Sequence, residues 1–296
     1  MRCSEGLSRS ACYHVQRALR SSPIKSSPII WHYLSKPVPY LEALRLQENL
    51  VSGRANSRAA LLKHEQKTHQ LSSAELEKHT ATASQDILLL LQHTSVYTTG
   101  RRDTHGPTLD IERERLTRLG ADYVSTQRGG QTTYHGPGQL VGYPILDIGA
   151  MDITTRQYVQ GVSDFLETLL SKRLGIPLLL PPPQVGAFPS ATTKIGSIGI
   201  QIRHRITSHG FSLNVTDDVK YWFDQIIACG SPDIKATTVE SELRRLDQAP
   251  VPRLEVADIA SMAAALLGET LQRDMMPLEK SDPMDLVDST LQSLAF

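Results

Sequence analysis

Two side chains of this sequence have the chemistry of a nucleophile and of a cation that activates it. Cys229 stands in the loop-like sequence "ACGSP", after a short predicted helix, and loops are where reactive side chains concentrate. A free thiol has a pKa of about 8.5, so a nucleophilic cysteine needs a nearby cation or base to become a thiolate. Lys194, which opens the strand-like segment "KIGSIGI", and His209, which precedes "GFSLNV", are candidates for that role. Two alternatives without a functional role stay open: Cys229 is only a small buried apolar side chain, and Lys194 is only solvated.

The segment "QRGGQTTYHGPGQLVGY", which begins at Gln127, is the most glycine-rich part of the chain. Its later glycines are one residue out of register for the dinucleotide-binding fingerprint, and the chain lacks the Gly-Lys-Ser/Thr of a phosphate-binding loop. Two interpretations stay open. The glycines supply positive φ angles at a junction between strands, or they form a pocket wall where a ligand approaches the backbone of Gly129 and Gly130. In the second case, polar groups come from three neighbouring side chains: Arg128, Tyr134 and His135.

Composition excludes several classes of protein. The 296 residues carry 31 Lys and Arg against 31 Asp and Glu, a formal net charge of +0, so there is no electrostatic footprint for nucleic acid or an anionic membrane surface. The 3 cysteines include no Cys-x-x-Cys pair, so they form neither a disulfide framework nor a thiolate zinc site. We expect no metal, and we expect His64, His69 and His79, which lie in a polar stretch, to be solvated.

The N-terminal segment, residues 1–28, has the composition of an organelle transit peptide. Five basic residues oppose a single acid, Glu5, serine is abundant, and the apolar core of a secretory signal is missing. This composition predicts a mitochondrial transit peptide and places the mature protein in the mitochondrion. A disordered tail without a targeting role is the alternative.

Hydrophobic periodicity predicts the elements that position these residues. The stretches "PYLEALRLQENLVS" and "ITTRQYVQGVSDFLETLLSKRLG" have apolar residues at helical spacing, and Gly175 is placed to end the second helix. The segments "DILLLLQH", "ADYVSTQ", "LVGYPILDI", "KIGSIGIQIRHRI" and "GFSLNV" are typical of strands. Helices and strands do not alternate regularly, so we predict a single α+β domain over residues 29–278, with a mixed β-sheet flanked by helices. Residues 53–85 are a polar insertion in it, which we expect to extend the first helix and then become exposed, and residues 279–296 are a C-terminal tail.

Three of these stretches, in this order, resemble the lipoyl(octanoyl) transferases: "RGGQTTYHGPGQLVGYPILD", "KIGSIGIQIRHRITSHGFSLNV" and "FDQIIACG". The segment "HTSVYTTGRR" is similar to that family's early strand and turn. The resemblance implies the fold of the biotin/lipoate ligase superfamily. Two departures concern the acyl pocket, since Ala187 and Phe188 stand where the family tends to have a tryptophan motif, and Thr193 stands where a basic residue is common.

The resemblance implies an acyltransferase that moves an octanoyl group from octanoyl-acyl carrier protein to a specific lysine of a lipoyl domain, the first step of protein lipoylation. The implied acceptors are the lipoyl domains of 2-oxoacid dehydrogenases and the glycine cleavage H protein, and no cofactor is implied. Carried over to this sequence, Cys229 is the acyl-thioester nucleophile, and Lys194 lowers the pKa of its thiol. The residues implied for the substrate pocket are Arg128, Gly129, Gly130, Gln131, Thr132, Thr133, Tyr134, His135, Ser197, Ile198, Gly199, Gly210, Phe211 and Ser212.

Three other functions stay open. An ATP-dependent lipoate or biotin ligase of the same fold activates a free acid and does not need Cys229. A cysteine thioesterase passes the acyl group to water. A non-catalytic module that binds acyl groups or carrier proteins has lost the chemistry, although this sequence retains both Cys229 and Lys194.

Overall fold

The computed structural model of the protein describes residues 27–67, 69–103, 107–227, 233–246 and 254–278. Three of the sequence predictions therefore fall wholly or largely outside the described residues: the nucleophile Cys229, the transit peptide and the C-terminal tail.

The central element is a mixed sheet of six strands, in the spatial order β11-β1-β2-β6-β9-β8. Strand β1 pairs in parallel with β11 and β2, while the pairs β2–β6, β6–β9 and β9–β8 are antiparallel. The prediction of one mixed sheet flanked by helices is confirmed. The bounds of these strands are β1 Ile29–Val38, β2 Asp86–His93, β6 Gln139–Ile145, β8 Gly196–Arg203, β9 Ile206–Asn214 and β11 Met275–Pro277.

Two smaller sheets stand beside the large one. One has three strands in the order β4-β3-β5, and the other has two parallel strands, β7 and β10. They bring the glycine-rich segment and Lys194 to the same side of the large sheet, because β5 leads into β6 and β7 leads into β8. The bounds are β3 Val96–Thr99, β4 Asp122–Ser125, β5 Thr133–His135, β7 Thr193–Lys194 and β10 Lys235–Ala236.

Seven α-helices lie in the described part of the chain. The fourth continues as a π-helix, Thr168–Arg173, and the fifth is preceded by a 3-10 turn, Asp217–Val219. None of these helices combines the length and the hydropathy needed to cross a bilayer. Their bounds are α1 Tyr40–Glu65, α2 Ser73–Ser84, α3 Pro107–Arg118, α4 Thr155–Glu167, α5 Lys220–Phe223, α6 Val239–Arg245 and α7 Val256–Leu271.

The strand β2 explains the apolar run "ILLLL". Leu88 and Leu90 contact the core on one face of the sheet, whereas Leu89 and Leu91 contact the core on the other face. A strand covered on both faces buries every side chain, so the usual alternation of polar and apolar residues disappears. The first face is covered by α4 and α7, and the second by α1.

The predicted polar insertion, residues 53–85, is helical. α1 runs on through it to Glu65, and α2 starts after a turn, with Ser72 and Glu75 forming a capping box. α2 has no buried residue. α2 packs against α1, and none of its residues lines the cavity described below.

A buried ion network joins the start of that polar stretch to the sheet. The side chains of Arg54 and Arg273 each donate to one carboxylate oxygen of Asp86, both at 2.8 Å, and all three side chains are at most 5% exposed. The network links α1, β2 and the residues that follow α7. Removal of one member leaves an uncompensated charge in the interior, which is costly.

Candidate active site

A cavity of about 580 Å³ lies between strands β6, β8 and β9, the start of α1 and the glycine-rich segment. Lys194 lines it together with twelve of the fourteen residues that the sequence predicted for the substrate pocket. These twelve are Arg128, Gly129, Gly130, Gln131, Thr133, His135, Ser197, Ile198, Gly199, Gly210, Phe211 and Ser212.

The other two predicted pocket residues, Thr132 and Tyr134, do not line the cavity. Side chains alternate along a strand, so Tyr134 faces away from the side on which Thr133 and His135 line the cavity. Its buried ring stacks on Trp222 at a centroid distance of 5.5 Å. Tyr134 therefore packs the small three-stranded sheet against α5. The Thr132 hydroxyl donates to Asp103 Oδ2 at 2.8 Å.

The glycines of the "RGG" turn allow two backbones to touch. Gly129 N donates to Ile200 O at 3.0 Å, and a Cβ on Gly199 would lie 3.0 Å from Gly129 O. A Cβ on Gly199 would therefore crowd the turn, whereas a Cβ on Gly129 would make an ordinary contact of 3.5 Å with Ile200 O. Gly130 has a φ of +92°, which favours glycine. The segment thus joins two sheets, and its backbone at Gly129 and Gly130 lines the cavity.

Arg128 holds this wall in place. Its guanidinium donates to three carbonyl oxygens, those of Thr98 at 2.6 Å, Gly129 at 3.0 Å and Gln131 at 2.9 Å. Arginine's planar group with several fixed donors suits such a multiple contact. The side chain is only 6% exposed, so a positive charge lies close beneath the surface of the cavity.

Lys194 is 8% exposed and is packed by the segment before it. Its Nζ lies 5.3 Å from the centroid of the Phe188 ring, which is within the range of a cation–π contact. Gly186 has a φ of +142°, and a Cβ there would lie 2.7 Å from Lys194 Cε. Glycine at 186 is therefore a condition for the observed position of the lysine.

The short strand β10 brings the chain that follows Cys229 to Lys194. Ala236 pairs with Lys194, and Thr237 N donates to Lys194 O at 2.9 Å. The Thr237 carbonyl accepts from Asn214 Nδ2 at 3.0 Å, which ties this segment to β9 as well. Cys229 itself lies outside the described residues, seven positions before Ala236 in the sequence.

Polar aromatic side chains form a connected group around the cavity. Tyr143 OH donates to His93 Nε2 at 2.7 Å, because His93 Nδ1 donates to the Val38 carbonyl at 2.8 Å. The Tyr40 ring stacks on His135 at a centroid distance of 6.0 Å. Tyr40, His135 and Tyr143 line the cavity directly.

The histidines of this group are neutral at pH 7. Burial lowers the pKa of His93 to about 4. Burial, with the positive charge of Arg128 as the next cause, lowers the pKa of His209 to about 3. For His135, burial and the neighbouring His93 and Arg128 lower the pKa well below 6.5. The cavity wall thus offers hydrogen-bonding groups without imidazolium charge.

His209 reaches the cavity through an unusual backbone conformation. Its φ is +55°, which is uncommon for a residue other than glycine, and its N–H donates to Gln47 Oε1 at 2.7 Å. The ring lies perpendicular to that of Tyr143, at a centroid distance of 6.2 Å. With a pKa of about 3, His209 is poorly suited to the role of general base that its sequence position suggested.

Several lining residues were not predicted from the sequence. Tyr143 and Val141 alternate on β6, so their common face was readable, whereas Tyr40 comes from a helix distant in the chain. The lining residues that the sequence did not single out are Tyr40, Arg102, Val141, Tyr143, Val159, Gln184, Val185 and Ile200. Among the described residues, no three His, Cys, Asp or Glu side chains are grouped in a way that could hold a metal ion.

Comparison with known proteins places the chain in a family. The profile described as "Lipoyl protein ligase A/B catalytic domain" matches residues 66–263. The chain belongs to the lipoyl protein ligase A/B family. It is 34% identical to "Octanoyltransferase LIP2, mitochondrial" of Arabidopsis thaliana over 252 residues, which are 85% of this chain and 92% of that protein. The resemblance to this group of enzymes that the sequence motifs indicated is confirmed.

Two further similarities agree with this family. The chain is 38% identical over 178 residues to "Octanoyl-[acyl-carrier-protein]:protein N-octanoyltransferase LIPT2, mitochondrial" of Danio rerio, which covers 60% of this chain and 77% of that protein. The fold matches a lipoate-protein ligase A bound with ATP, with a TM-score of 0.56 at 13% identity, over 91% of this chain and 94% of the ligase. The similarity to the ligase is therefore one of fold, whereas the similarity to the two octanoyltransferases is also one of sequence.

Proposed function

We propose that this protein is an octanoyltransferase that moves an octanoyl group from octanoyl-acyl carrier protein to a lysine of lipoyl domains, through an acyl-thioester on Cys229. The observation that carries the proposal is the position of Lys194. This buried lysine lines a cavity walled by the family's glycine-rich turn, and it pairs with the strand that follows Cys229. The names of the similar proteins support the same reaction.

In the first step, the Cys229 thiolate attacks the carbonyl carbon of the donor thioester. A new carbon–sulfur bond forms, the bond to the phosphopantetheine sulfur breaks, and that sulfur leaves and takes up a proton. In the second step, a lysine amine attacks the octanoyl-Cys229 thioester, an amide bond forms, and the amine proton passes to a base as Cys229 leaves. Neither step changes an oxidation state, and covalent catalysis divides one transfer into two.

Lys194 has two roles in this scheme. As an ammonium close to the sulfur it stabilises the thiolate, and opposite charges attract more strongly where water is excluded. It can also pass a proton to the leaving sulfur and accept one from the attacking amine. A preference for the thiolate of about 1.4 kcal/mol corresponds to one pKa unit, so a modest interaction suffices near neutral pH.

The cavity suits an octanoyl chain. Val141, Ile198 and Phe211 supply apolar surface, and the volume of about 580 Å³ lies in the usual range for small-molecule sites. Because the lining histidines, His135 and His209, are uncharged at pH 7, they do not oppose burial of methylene groups. Each buried methylene contributes about 0.8 kcal/mol.

The decisive experiment measures octanoyl transfer by mass spectrometry, with purified octanoyl-acyl carrier protein and a lipoyl domain. We expect an enzyme species heavier by one octanoyl group, with the group on Cys229, before the lipoyl domain is modified. C229S should form no such species, and K194M should form it slowly. Lys172, which is exposed on the π-helix, provides the matched control K172M, which should behave as wild type.

The outcomes separate the alternatives. Turnover of free octanoate that requires ATP and persists in C229S identifies a ligase. Release of octanoate in the absence of a lipoyl domain identifies a thioesterase. Binding of octanoyl-acyl carrier protein without any product identifies a non-catalytic module.

The acceptors we propose are the lipoyl domains of 2-oxoacid dehydrogenases and the glycine cleavage H protein, and the compartment we propose is the mitochondrion. The Arabidopsis thaliana and Danio rerio proteins are both named mitochondrial. The Arg-rich and Ser-rich composition of residues 1–28 supports the same subcellular location. Sequencing the N-terminus of the protein from isolated mitochondria tests cleavage, and an intact Met1 there contradicts it.

A further inference from the structure

The outer strand of the large sheet has an edge that faces away from its partner. β8 is the last strand in the spatial order, and its ladder is formed with β9. Asn214 N donates to Ile195 O at 2.9 Å, and backbone groups alternate in direction along an antiparallel strand. The N–H and C=O groups of Gly196, Ile198 and Ile200 therefore point away from β9.

Two of these three residues are bonded to neighbouring segments. Ala187 N donates to Gly196 O, and Gly129 N donates to Ile200 O, both at 3.0 Å. Ile198 lies between them, lines the cavity, and makes no backbone hydrogen bond on this edge with the described residues. The edge thus has an open slot of one residue. A slot of this length suits a single amide group, whereas a protein strand that joins a sheet edge needs several residues in succession.

The charges beside the slot are of one sign. The described residues that line the cavity include three cations, Arg102, Arg128 and Lys194, and no aspartate or glutamate. Arg102 is exposed, and it takes part in none of the ion pairs among the described residues. The nearest acid in the sequence, Asp103, accepts from Thr132 and does not line the cavity. Such a cation attracts an anion, yet the octanoyl chain and its thioester carry no charge.

The backbone fixes Arg102 to the glycine-rich wall. Arg102 N donates to Gly130 O at 3.4 Å, and the preceding Arg101 N donates to Arg128 O at 3.0 Å. This wall is bonded to β8 at Ile200, so Arg102 belongs to that end of the slot.

Lys194 belongs to the other end. A Cβ on Gly186 would lie 2.7 Å from both Lys194 Cε and Gly196 O, so the lysine side chain passes beside Gly196. A strand rises about 3.3 Å per residue, which places Gly196 about 13 Å from Ile200, with Ile198 midway. The ammonium, the slot and the free arginine therefore follow one another along β8.

We propose that this edge of β8 binds the phosphopantetheine arm of the octanoyl donor, with one amide of the arm on the backbone of Ile198 and the phosphate at Arg102. The inference rests on the proposed octanoyl transfer. The two amides begin about three and about seven bonds from the sulfur, and the phosphorus follows after about thirteen. At three bonds per extended residue, thirteen bonds span about 15 Å. With the sulfur beside Lys194, the arm therefore reaches the slot and then the arginine.

Both features suit the donor better than the acceptor. An amide has one donor and one acceptor, as the backbone of Ile198 does, and a guanidinium suits a phosphate. The side chain of the acceptor lysine has neither an amide nor an anion, so it gains nothing from the slot or from Arg102.

A proline at position 198 tests the slot. Because the N–H of Ile198 points away from β9, I198P removes this donor without removing a hydrogen bond of the ladder. The measured quantity is the kcat/KM ratio of octanoyl-N-acetylcysteamine, which has the amide next to the sulfur, to S-butyl octanethioate, which has none. We expect this ratio to fall about three- to tenfold, as for one lost hydrogen bond. The control I202P has the same orientation on β8 outside the cavity and should keep the wild-type ratio.

A modified donor tests the slot on the wild-type enzyme, whether or not I198P folds by circular dichroism. Octanoyl-O-acetylmercaptoethanol has an ester oxygen in place of the amide N–H. Its kcat/KM should be about three- to tenfold below that of octanoyl-N-acetylcysteamine, because the carbonyl of Ile198 loses its donor.

A glutamine at position 102 tests the phosphate. R102Q should raise KM for octanoyl-phosphopantetheine about two- to fivefold at low salt, the range expected of an exposed charge pair, and should leave KM for octanoyl-pantetheine, which lacks the phosphate, unchanged. The matched control is R101Q, because Arg101 is the exposed neighbour that does not line the cavity. It should leave both KM values unchanged.

Four outcomes overturn the assignment. A wild-type ratio in folded I198P, or equal kcat/KM for the amide and ester donors, shows that the slot does not bind an amide. Equal effects of R101Q and R102Q show attraction by the turn as a whole rather than a contact with the phosphate. A loss only in transfer from preformed octanoyl-enzyme to the lipoyl domain shows that the edge serves the acceptor. If the wild-type protein turns over no donor, the proposed octanoyl transfer itself fails, which is a separate result.

Discussion

Replacement of Gly186 by alanine tests whether the packing around Lys194 sets the rate of acyl transfer. A Cβ at position 186 would lie 2.7 Å from both Lys194 Cε and Gly196 O. The oxygen is held in place, because it accepts from Ala187 N at 3.0 Å, so the lysine side chain has to move. The φ of +142° at Gly186 adds backbone strain. Strain and overpacking together should lower the free energy of unfolding by about 2–5 kcal/mol.

The catalytic consequence follows from the displacement of Lys194. A misplacement of about 1 Å at a reacting group costs up to about 100-fold in rate, so octanoylation of Cys229 should slow about 10- to 100-fold in G186A. Single-turnover mass spectrometry with octanoyl-acyl carrier protein measures that rate, and urea unfolding measures stability. The control is G161A, within α4, where a Cβ makes an ordinary contact of 3.6 Å with Leu271 Cδ2. It should gain up to about 1 kcal/mol of stability and keep the wild-type rate.

Two results would refute this reasoning in different places. A G186A protein with wild-type urea stability would show that the segment relaxes around the new methyl group. A destabilised G186A protein that octanoylates Cys229 at the wild-type rate would show that the contact with Gly186 does not set the functional position of Lys194.

The remaining predictions concern the core and the wall of the cavity. D86A should lower the free energy of unfolding in urea by about 3–5 kcal/mol, because two buried arginines lose their carboxylate. The control E269A breaks an exposed ion pair with an N–O distance of 3.3 Å and should change this free energy by less than about 1 kcal/mol. Equal effects of the two substitutions would contradict the buried network. The folded-state pKa values of about 4 for His93 and about 3 for His209 lie below the unfolded value, so the unfolded chain binds more protons in acid. The free energy of unfolding should therefore fall between pH 6.5 and 5 by about 1.6 kcal/mol per histidine, and a flat profile would show that these rings bind protons in the fold as readily as in the unfolded chain. Y134F should lower the free energy of unfolding by about 1 kcal/mol and leave the rate of octanoyl transfer unchanged, because the ring lies outside the cavity. A large loss of rate would show that Tyr134 contributes to the site.

Local patterns in the sequence were sufficient for much of the fold. The helical spacing of apolar residues predicted α4, and the β-branched alternation of "KIGSIGIQIRHRI" predicted β8, since both patterns depend on neighbours within a few residues. The polar stretch that begins at Gly53 was harder, because α1 continues through it and buries Arg54. A charged residue in the core is stabilised by its partner Asp86, and such pairing leaves no mark in the local pattern.

Motifs that stand in order along the chain were sufficient to indicate the family, and they placed Lys194 and most of the cavity wall among the candidates. Only the folded chain shows which side chains face the cavity and where glycine is needed. Tyr40 lines the cavity from a helix distant in the sequence, His209 has a positive φ, and a Cβ on Gly199 would lie 3.0 Å from Gly129 O. These features depend on contacts between segments far apart in the chain, whereas a sequence pattern records only the preference of each segment for its own conformation and burial.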